Sequence, residues 1–590
     1  MPISPQHIGT FAILLLMILA LYKEWWKPVI VFGIGATSFL FLGSIDAKEL
    51  LSGFANEQVA VIILLLIISS VIEKAKLLEH GLNSVFAGAD SYKKFIRRLV
   101  PFTAAISGFL NNTPVVASFI PYVFIWGKKN GIAPSKVLMP LSFAAILGGT
   151  MTLIGTSTNL IVNGLAQENG FAGFELFDFA FIGVPLVIVG ALYMLVFGDR
   201  LLPNHGDPLE SFKSSTKEYL VETRVVKGSP LIDKTVEGSD MRSLDGLFLV
   251  EIIRGKRKIG PVKPTQNIRE GDHLIFAGDT EDIPNLMSSQ LGLELPALKE
   301  IQEQELIQVV EAVLSYNSNL AGKKVRETDF RGTFDAAIVA IHRNGEKLSG
   351  KIGDIVLENG DLLVLMTGKD FRKRINRKSF YLLSSRKEIP NINKAKSWTI
   401  TLSALLAIVL AAFKVLSLFK LLLIYVAISL LLKWIRPGEL QKSLDLNLAF
   451  IAALSLAVGH AMENSGTAQL IAHGMSNTIG AFGPIGILAG VYIITNVLTE
   501  FVTNVAAATL GLPIALSLAT SLQLPVEPFV LCVAFAASFS FLSPIGYQTN
   551  LMVFGPGGYR FKDFIRFGMP LSFLCFLFTI SLLVIKYDLL

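Results

Sequence analysis

One eleven-residue phrase occurs twice in this chain. Ile154-Gly155-Thr156-Ser157-Thr158-Asn159-Leu160-Ile161-Val162-Asn163-Gly164 returns as Ile545-Gly546-Tyr547-Gln548-Thr549-Asn550-Leu551-Met552-Val553-Phe554-Gly555, identical at seven of eleven positions. Each copy also has an upstream partner. Asn112 opens Asn-Thr-Pro-Val-Val and is followed nine residues later by Pro121; Asn504 opens Asn-Val-Ala-Ala-Ala and is followed nine residues later by Pro513. The step from Asn112 to Asn159 is 47 residues and that from Asn504 to Asn550 is 46. Polar, glycine-rich interruptions at matching places in two apolar halves are the mark of a repeat-built membrane transporter.

The composition supports a membrane protein. Of 590 residues, 52% are hydrophobic and 17% charged, against about 25% charged in ordinary soluble domains. Many apolar runs exceed the ~18 residues that cross a bilayer. The net charge of +6 reads as membrane topology, and no nucleic-acid partner is expected. Cys532 and Cys575 lie in apolar runs and form no metal-ligand pattern. The first run, Ile8 to Leu21, lacks a basic leader and reads as a retained helix.

Candidate crossings are 6–22, 28–44, 58–78, 137–165 and 178–198, then 397–415, 418–435, 446–463, 527–556 and 568–587. Two further apolar stretches, 99–126 and 486–519, are broken at Asn111-Asn112-Thr113-Pro114 and at Thr503-Asn504. Each is long enough for two half-length helices and reads as a re-entrant hairpin. Five crossings per half is an odd number, so the second half starts from the opposite face and the repeats are inverted. Positive charge fits this layout. Lys23, Lys27, Lys93, Lys94, Arg97, Arg98, Lys128, Lys129, Lys136, Arg436, Lys442, Arg560, Lys562 and Arg566 fall in the expected inner loops, while 166–177, 464–485 and 520–526 hold no Lys or Arg. Lys414 and Lys420, in one outer turn, run against the bias. The layout places both termini outside and the central segment in the cytoplasm.

The resulting fold class is a polytopic α-helical membrane protein of two inverted repeats, each with a re-entrant hairpin and an unwound helix, plus a cytosolic α+β insert. The expected domains are 1–203, 204–299, 300–392 and 393–590. The insert carries most of the charge and itself looks duplicated. Arg269-Glu270-Gly271-Asp272 precedes the run Leu274-Ile275-Phe276, and Glu358-Asn359-Gly360-Asp361 precedes Leu362-Leu363-Val364. Gly-Asp before an apolar run is a turn feeding a strand. Around 213–283 and 303–371 the two units resemble RCK C-terminal (TrkA-C type) domains, a likeness that implies a cytosolic small-molecule ligand.

Gly, Ser, Thr and Asn at membrane depth are tolerated only where protein or water covers them. At a helix break, free carbonyls and Asn or Thr oxygens suit a hard cation, and free N–H groups at the positive end of the dipole suit an anion. One such break could be a packing point of small residues; four at matched spacing point to a site. No Arg, Lys, His or Asp lies within the four motifs. An anion would therefore be held by amides, hydroxyls and accompanying cations. Glu73, Glu463, Glu500 and His460 are intramembrane ionisable groups, read chiefly as structural bridges, with cation or proton coupling as the other reading. No nucleophile triad, phosphate loop or His/Cys cluster is present, so no enzyme is expected.

Asn111-Asn112-Thr113, Gly148-Gly149-Thr150 with Gly155 through Asn159, Thr499-Glu500-Phe501-Val502-Thr503-Asn504 and Ser543-Pro544-Ile545-Gly546 through Asn550 resemble the divalent anion/sodium symporter family of the ion transporter superfamily. That resemblance implies a homodimer in the cell (inner) membrane, an elevator mechanism, and symport of sulfate, dicarboxylates or related anions with Na⁺ and no organic cofactor. It implies substrate-binding residues Asn112, Thr113, Thr158, Asn159, Thr503, Asn504, Thr549 and Asn550. It implies Na⁺ ligands from Asn111, Asn112, Gly155, Asn159, Thr503, Asn504, Gly546 and Asn550. Two departures favour sulfate over a dicarboxylate: Val505 stands where the second tip's threonine is expected, and neither loop has the Gly-Thr-Pro-Pro-Asn pattern. The alternatives are efflux or antiport within the superfamily (arsenite, or Na⁺/H⁺ exchange) and a membrane anion sensor that does not transport.

Overall fold

The computed structural model describes residues 4–589 apart from 24, 76–81, 83–84, 206–219, 240–246, 256, 260–261, 279–290, 295–308, 316–317, 344–345, 349–351, 369, 376–378, 384–393 and 439–445. The membrane helices of the first half are α1 (Pro5–Tyr22), α2 (Pro28–Leu42), α3 (Glu57–Ala75), α4 (Tyr92–Ser107), α5 (Asn112–Lys129), α6 (Pro134–Gly149), α7 (Ser157–Glu168) and α8 (Ala180–Leu201). Those of the second are α9 (Lys394–Ala412), α10 (Leu418–Leu431), α11 (Leu446–Asn464), α12 (Thr467–Ile479), α13 (Gly483–Phe501), α14 (Asn504–Ser521), α15 (Glu527–Ser538), α16 (Gln548–Phe554) and α17 (Phe561–Tyr587). Prolines at or near the first position of α1, α2, α6 and α15 fix φ where the N–H has no helical partner. Among the described residues, eight stretches are long and apolar enough to cross a membrane. The molecule is a polytopic helical membrane protein with a small β-rich insert.

The helices stop where the sequence is interrupted. α4 ends at Ser107 and α5 starts at Asn112; α13 ends at Phe501 and α14 starts at Asn504. The expected crossing 137–165 is two helices, α6 and α7, parted at 150–156, and 527–556 is likewise α15 and α16, parted at 539–547. The two halves interlock: α2 packs on α11 and α10 on α3, while α7 packs on α14 and α16 on α5.

One expectation fails. Residues 464–485, read as an outer loop, contain α12. Its polar residues hide an amphipathic helix that buries Ala468, Ala472 and Met475 at three- and four-residue spacing. Lys442 and the side chain of Glu73 lie outside the described residues.

Loop contacts fall into two groups. Lys414 pairs with Glu175 at 2.5 Å, the Lys586 ammonium reaches the Asp178 carbonyl, and Asn464 bonds Ser44 and Glu49. These residues all belong to the face expected to be outer. On the other face Ser135 bonds Pro203, and Lys128 approaches Glu311 of the insert at 3.9 Å. The outer-turn lysine Lys414, against the charge bias, thus has a carboxylate partner.

The insert holds two five-stranded antiparallel sheets. The first comprises β1 (Leu220–Val225), β2 (Leu247–Arg254), β3 (Arg257–Ile259), β4 (His273–Gly278) and β5 (Leu293–Glu294), in the order β3-β2-β4-β1-β5. The second comprises β6 (Val309–Leu314), β7 (Ala336–Arg343), β8 (Glu346–Lys347), β9 (Leu362–Thr367) and β10 (Phe380–Leu382), in the order β8-β7-β9-β6-β10. The orders correspond strand for strand. Both sheets carry a register shift in the same place, Leu249/Glu251 and Ile338/Ala340. In each, a glycine at positive φ (Gly271, 76°; Gly360, 85°) turns the chain into an Asp that binds an Arg: Asp272 to Arg254 and Asp361 to Arg343. These bonds raise both guanidinium pKa values above the ordinary arginine range.

The two sheets differ in what they rest on. Val313, Leu362 and Leu383 from the second join the apolar core of the membrane helices, and the core cluster of the first stays separate. The Gly360 backbone lies against Leu551 of α16 and Gly555 just beyond it.

Candidate functional site

At the first tip Asn111 caps α5 by accepting the Thr113 N–H at 3.2 Å. The Asn112 side chain turns back, its Oδ1 accepting the Ser107 hydroxyl. At the second tip Thr503 caps α14 by accepting the Ala506 N–H at 3.3 Å. The Thr499 hydroxyl lies 2.9 Å from Asn504 Oδ1. Ser107 and Thr499 stand five residues before their asparagines, so the tips are built alike.

The unwound stretches lie against these tips. Asn159 Nδ2 donates to the Thr152 carbonyl at 2.9 Å, and Asn550 Nδ2 to those of Ser540 and Ser543 at 2.8 and 3.2 Å. Both asparagines are fully buried. A Cβ on Gly155 would press on the Gly149 and Ser107 carbonyl oxygens; one on Gly546 would press on Ser540 Oγ and the Thr499 carbonyl oxygen. These are corresponding positions in the two halves. Only glycine lets the chain pass so close to the oxygens. In each half a hairpin carbonyl and the unwound backbone meet, with a buried asparagine four residues further along the chain.

That donor set suits a hard cation, being made of neutral oxygens at helix C-terminal ends. Asn159 Oδ1 strengthens the fit. It is buried and has no hydrogen-bond partner, a costly state for an amide oxygen unless something binds it. Asn550 Oδ1, by contrast, accepts the Ser142 hydroxyl at 2.7 Å, and Thr549 Oγ1 lies 2.8 Å from the same hydroxyl. Thr158 is buried on α7. Among the described residues no cluster of His, Cys, Asp or Glu could hold a metal ion.

Of the acids, Glu500 is a strut. Its carboxylate accepts the N–H groups of Phe541 and Leu542 at 2.9 and 3.0 Å and the Ser540 hydroxyl at 2.9 Å. It thereby ties α13 to the second unwound stretch and satisfies donors freed by the break. Gly108 holds the corresponding place in the first half; its carbonyl accepts the Thr152 hydroxyl. His460 Nε2 lies 2.9 Å from a Glu168 carboxylate oxygen between α11 and α7, with Asn56 donating to Glu168. Glu463 belongs to that neighbourhood, away from the tips.

Sequence reasoning passed over Ser107 and Ser142, and it quoted Thr499, Tyr547 and Gln548 within the motifs without giving them a place in the site. Asn112 Nδ2 donates to the Tyr547 hydroxyl at 2.5 Å, and Thr113 Oγ1 to Gln548 Oε1 at 2.9 Å. The matched five-residue step could have found Ser107 and Thr499. Ser142 has no counterpart, since Val533 fills the equivalent place.

Comparison with known proteins places the chain among membrane transporters. The chain is 33% identical over 94% of its length, and 97% of the relative's, to a Chlamydomonas reinhardtii protein provisionally named a sulfur deprivation response regulator. It is 31% identical to an uncharacterised transporter of Synechocystis over 98% of this chain and 97% of that one. It is 30% identical to sodium/sulfate cotransporter 1 of Chlamydomonas reinhardtii over 61% of this chain and 43% of that one. Residues 12–524 match the sequence profile described as citrate transporter. The chain belongs to the citrate transporter (CitMHS) family, and it is a secondary transporter of the membrane, not an enzyme.

Proposed function

We propose that this protein carries a small divalent anion, sulfate in preference to a dicarboxylate, by symport with Na⁺. The observation that carries this reading is the matched pair of glycine–carbonyl cradles at Gly155 and Gly546, together with the unpartnered buried oxygen of Asn159, four residues after Gly155. Two such cradles suit two cations, which offset the charge of an anion at a site without a fixed cation. The sodium/sulfate cotransporters among the relatives support both ion and substrate. In this reading 1–203 and 393–590 are inverted repeats, and residues Asn111 to Thr113, Thr158, Asn159, Thr503, Asn504, Thr549 and Asn550 form the site. The transport unit moves as an elevator within a homodimer. The grouping of loop contacts on two faces supports an insert on the face opposite the termini, and the Lys/Arg bias supports that face as the cytoplasmic one. The repeated strand order supports RCK C-terminal-like units at 204–299 and 300–392, which would bind a cytosolic ligand.

The description of the family supports a second reading, a citrate carrier. One assay separates the two. Purified protein in proteoliposomes is given radiolabelled sulfate, succinate or citrate with and without an inward Na⁺ gradient. Sulfate uptake that collapses without the gradient is expected; gradient-driven citrate uptake with no sulfate uptake refutes the proposal.

A further inference from the structure

The two unwound stretches share a backbone but differ in two adjacent side chains. The first has Thr156 and Ser157; the second has Tyr547 and Gln548 at the same places. The larger pair does not serve its own hairpin. Tyr547 and Gln548 reach across to the first tip and take its polar groups. The Tyr547 hydroxyl accepts from Asn112 at 2.5 Å and lies 3.4 Å from Thr156 Oγ1, and Gln548 Oε1 accepts from Thr113 at 2.9 Å. Tyr547 and Gln548 are both half-buried.

A hydrogen-bond inventory shows the consequence. Asn112 has given its oxygen to Ser107 and an amide hydrogen to Tyr547. Thr113 has given its only hydroxyl hydrogen to Gln548. The first tip keeps one amide hydrogen of Asn112, and the pair adds the two N–H groups of Gln548 and the Tyr547 O–H, whose 3.4 Å contact with Thr156 is long for a hydrogen bond. A phenol ring and a long amide also fill volume that Thr and Ser would leave open.

Resting on the reading of the site given above, we propose that Tyr547 and Gln548 are specificity-determining residues that shorten the site from the first-tip side and present donors to one compact tetrahedral oxyanion. A carboxylate with a carbon skeleton has to reach Asn112 and Thr113 to span both tips, and the pair stands in the way. A site whose donors are matched to one ligand rejects another mainly by leaving its own polar groups unpaired.

The test uses the full chain in proteoliposomes under an inward Na⁺ gradient, with sulfate as the carried anion and citrate and succinate as competitors. The double variant Tyr547→Thr/Gln548→Ser copies the first stretch. It is expected to raise the sulfate KM by roughly tenfold, the effect of about one lost charge-assisted hydrogen bond. It is also expected to let citrate or succinate compete, which wild type does not. Tyr547→Phe keeps the ring and loses the hydroxyl; it raises the sulfate KM but still excludes the carboxylates. If wild type carries sulfate and the double variant keeps both its KM and its selectivity, the inference is overturned and the transport reading survives. Wild type that carries citrate instead of sulfate overturns both. In detergent with Na⁺, anion-dependent shifts in Tm make the same comparison without transport. Should the double variant not fold, Tyr547→Phe with an unchanged sulfate response overturns the inference alone.

Discussion

The two broken-helix units are alike in backbone and unlike in side chains. Both bring a glycine, Gly155 or Gly546, onto a hairpin carbonyl, that of Ser107 or Thr499. Both pin the break with a buried asparagine, Asn159 or Asn550. Yet the first leaves Asn159 Oδ1 unsatisfied and has Gly108 where the second has Glu500, while in the second Asn550 Oδ1 accepts Ser142 and Glu500 takes the donors of the break. In the proposed reading the shared part serves the cation, because oxygens from main chain and amide can be duplicated with the fold. The unshared part would then set rigidity and substrate fit, the first unit being the one that keeps an amide oxygen for a ligand.

The strongest way to break this comparison is to fill both cradles. Gly155→Ala and Gly546→Ala should each abolish Na⁺-driven uptake in a folded protein, since the new methyl meets two carbonyl oxygens in the first cradle and a carbonyl oxygen and the Ser540 hydroxyl in the second. Overpacking of this kind costs about 1–3 kcal/mol, and here it falls on the position proposed for the cation. Uptake in proteoliposomes alongside size-exclusion profiles measures it. If one variant transports normally, the two cradles are not equivalent.

Glu500→Ala comes next. It strands two main-chain donors and the Ser540 hydroxyl, at about 1–3 kcal/mol for each unsatisfied buried group. A Tm drop is expected that exceeds any from Gly108→Ala, whose added methyl would first meet the flexible Met151 methyl at 3.0 Å, then the Gly148 and Ala104 oxygens at 3.4 and 3.5 Å. The asparagines should diverge more subtly. Asn550→Ala should lower Tm through its lost bonds to Ser142, Ser540 and Ser543. Asn159→Ala should chiefly raise the Na⁺ concentration for half-maximal uptake. Equal effects on both quantities would erase the distinction between a tied and a ligand-dependent unit.

The insert offers a parallel pair with the smallest expected effect. Arg254→Ala should loosen the first sheet alone, whereas Arg343→Ala should also speed proteolysis near α16, because the second sheet is docked on the membrane helices. Limited proteolysis of the two variants in detergent compares them. The raised pKa of both arginines means they stay charged throughout the folded range. Their contribution would fall away only as pH rises past the arginine range, so the contrast should persist across neutral and mildly alkaline pH.

What could be read in advance followed from features that are local in sequence. The breaks at Asn112, Asn504, Gly155 and Gly546 announced themselves because polar residues interrupt apolar runs at repeated spacing. The duplicated sheets showed through Gly271-Asp272 and Gly360-Asp361. What stayed hidden is contact between distant segments. Nothing around Tyr547 says that its hydroxyl meets Asn112, 435 residues away. Ser142 looks like any small residue on an apolar helix until Asn550 is placed beside it. α12 was missed because a helix with one polar face resembles a loop when only charge and polarity are counted.

The interlocking of the halves also has a consequence for biosynthesis. The Tyr559 hydroxyl enters the backbone ladder of α6, donating to the Ser135 carbonyl at 2.7 Å and accepting from the Met139 N–H at 2.8 Å. Ser142, on the same helix, finds its partners in Thr549 and Asn550. Before residues 549–559 are made, the Met139 N–H and the Ser135 carbonyl, four residues apart on one helix, can close on each other as an ordinary helical bond, and the Ser142 hydroxyl can turn back onto its own helix. The arrival of those residues exchanges bonds within one helix for bonds between the two halves. Joining the halves is therefore an exchange of hydrogen bonds, with no polar group left bare in hydrocarbon at any stage.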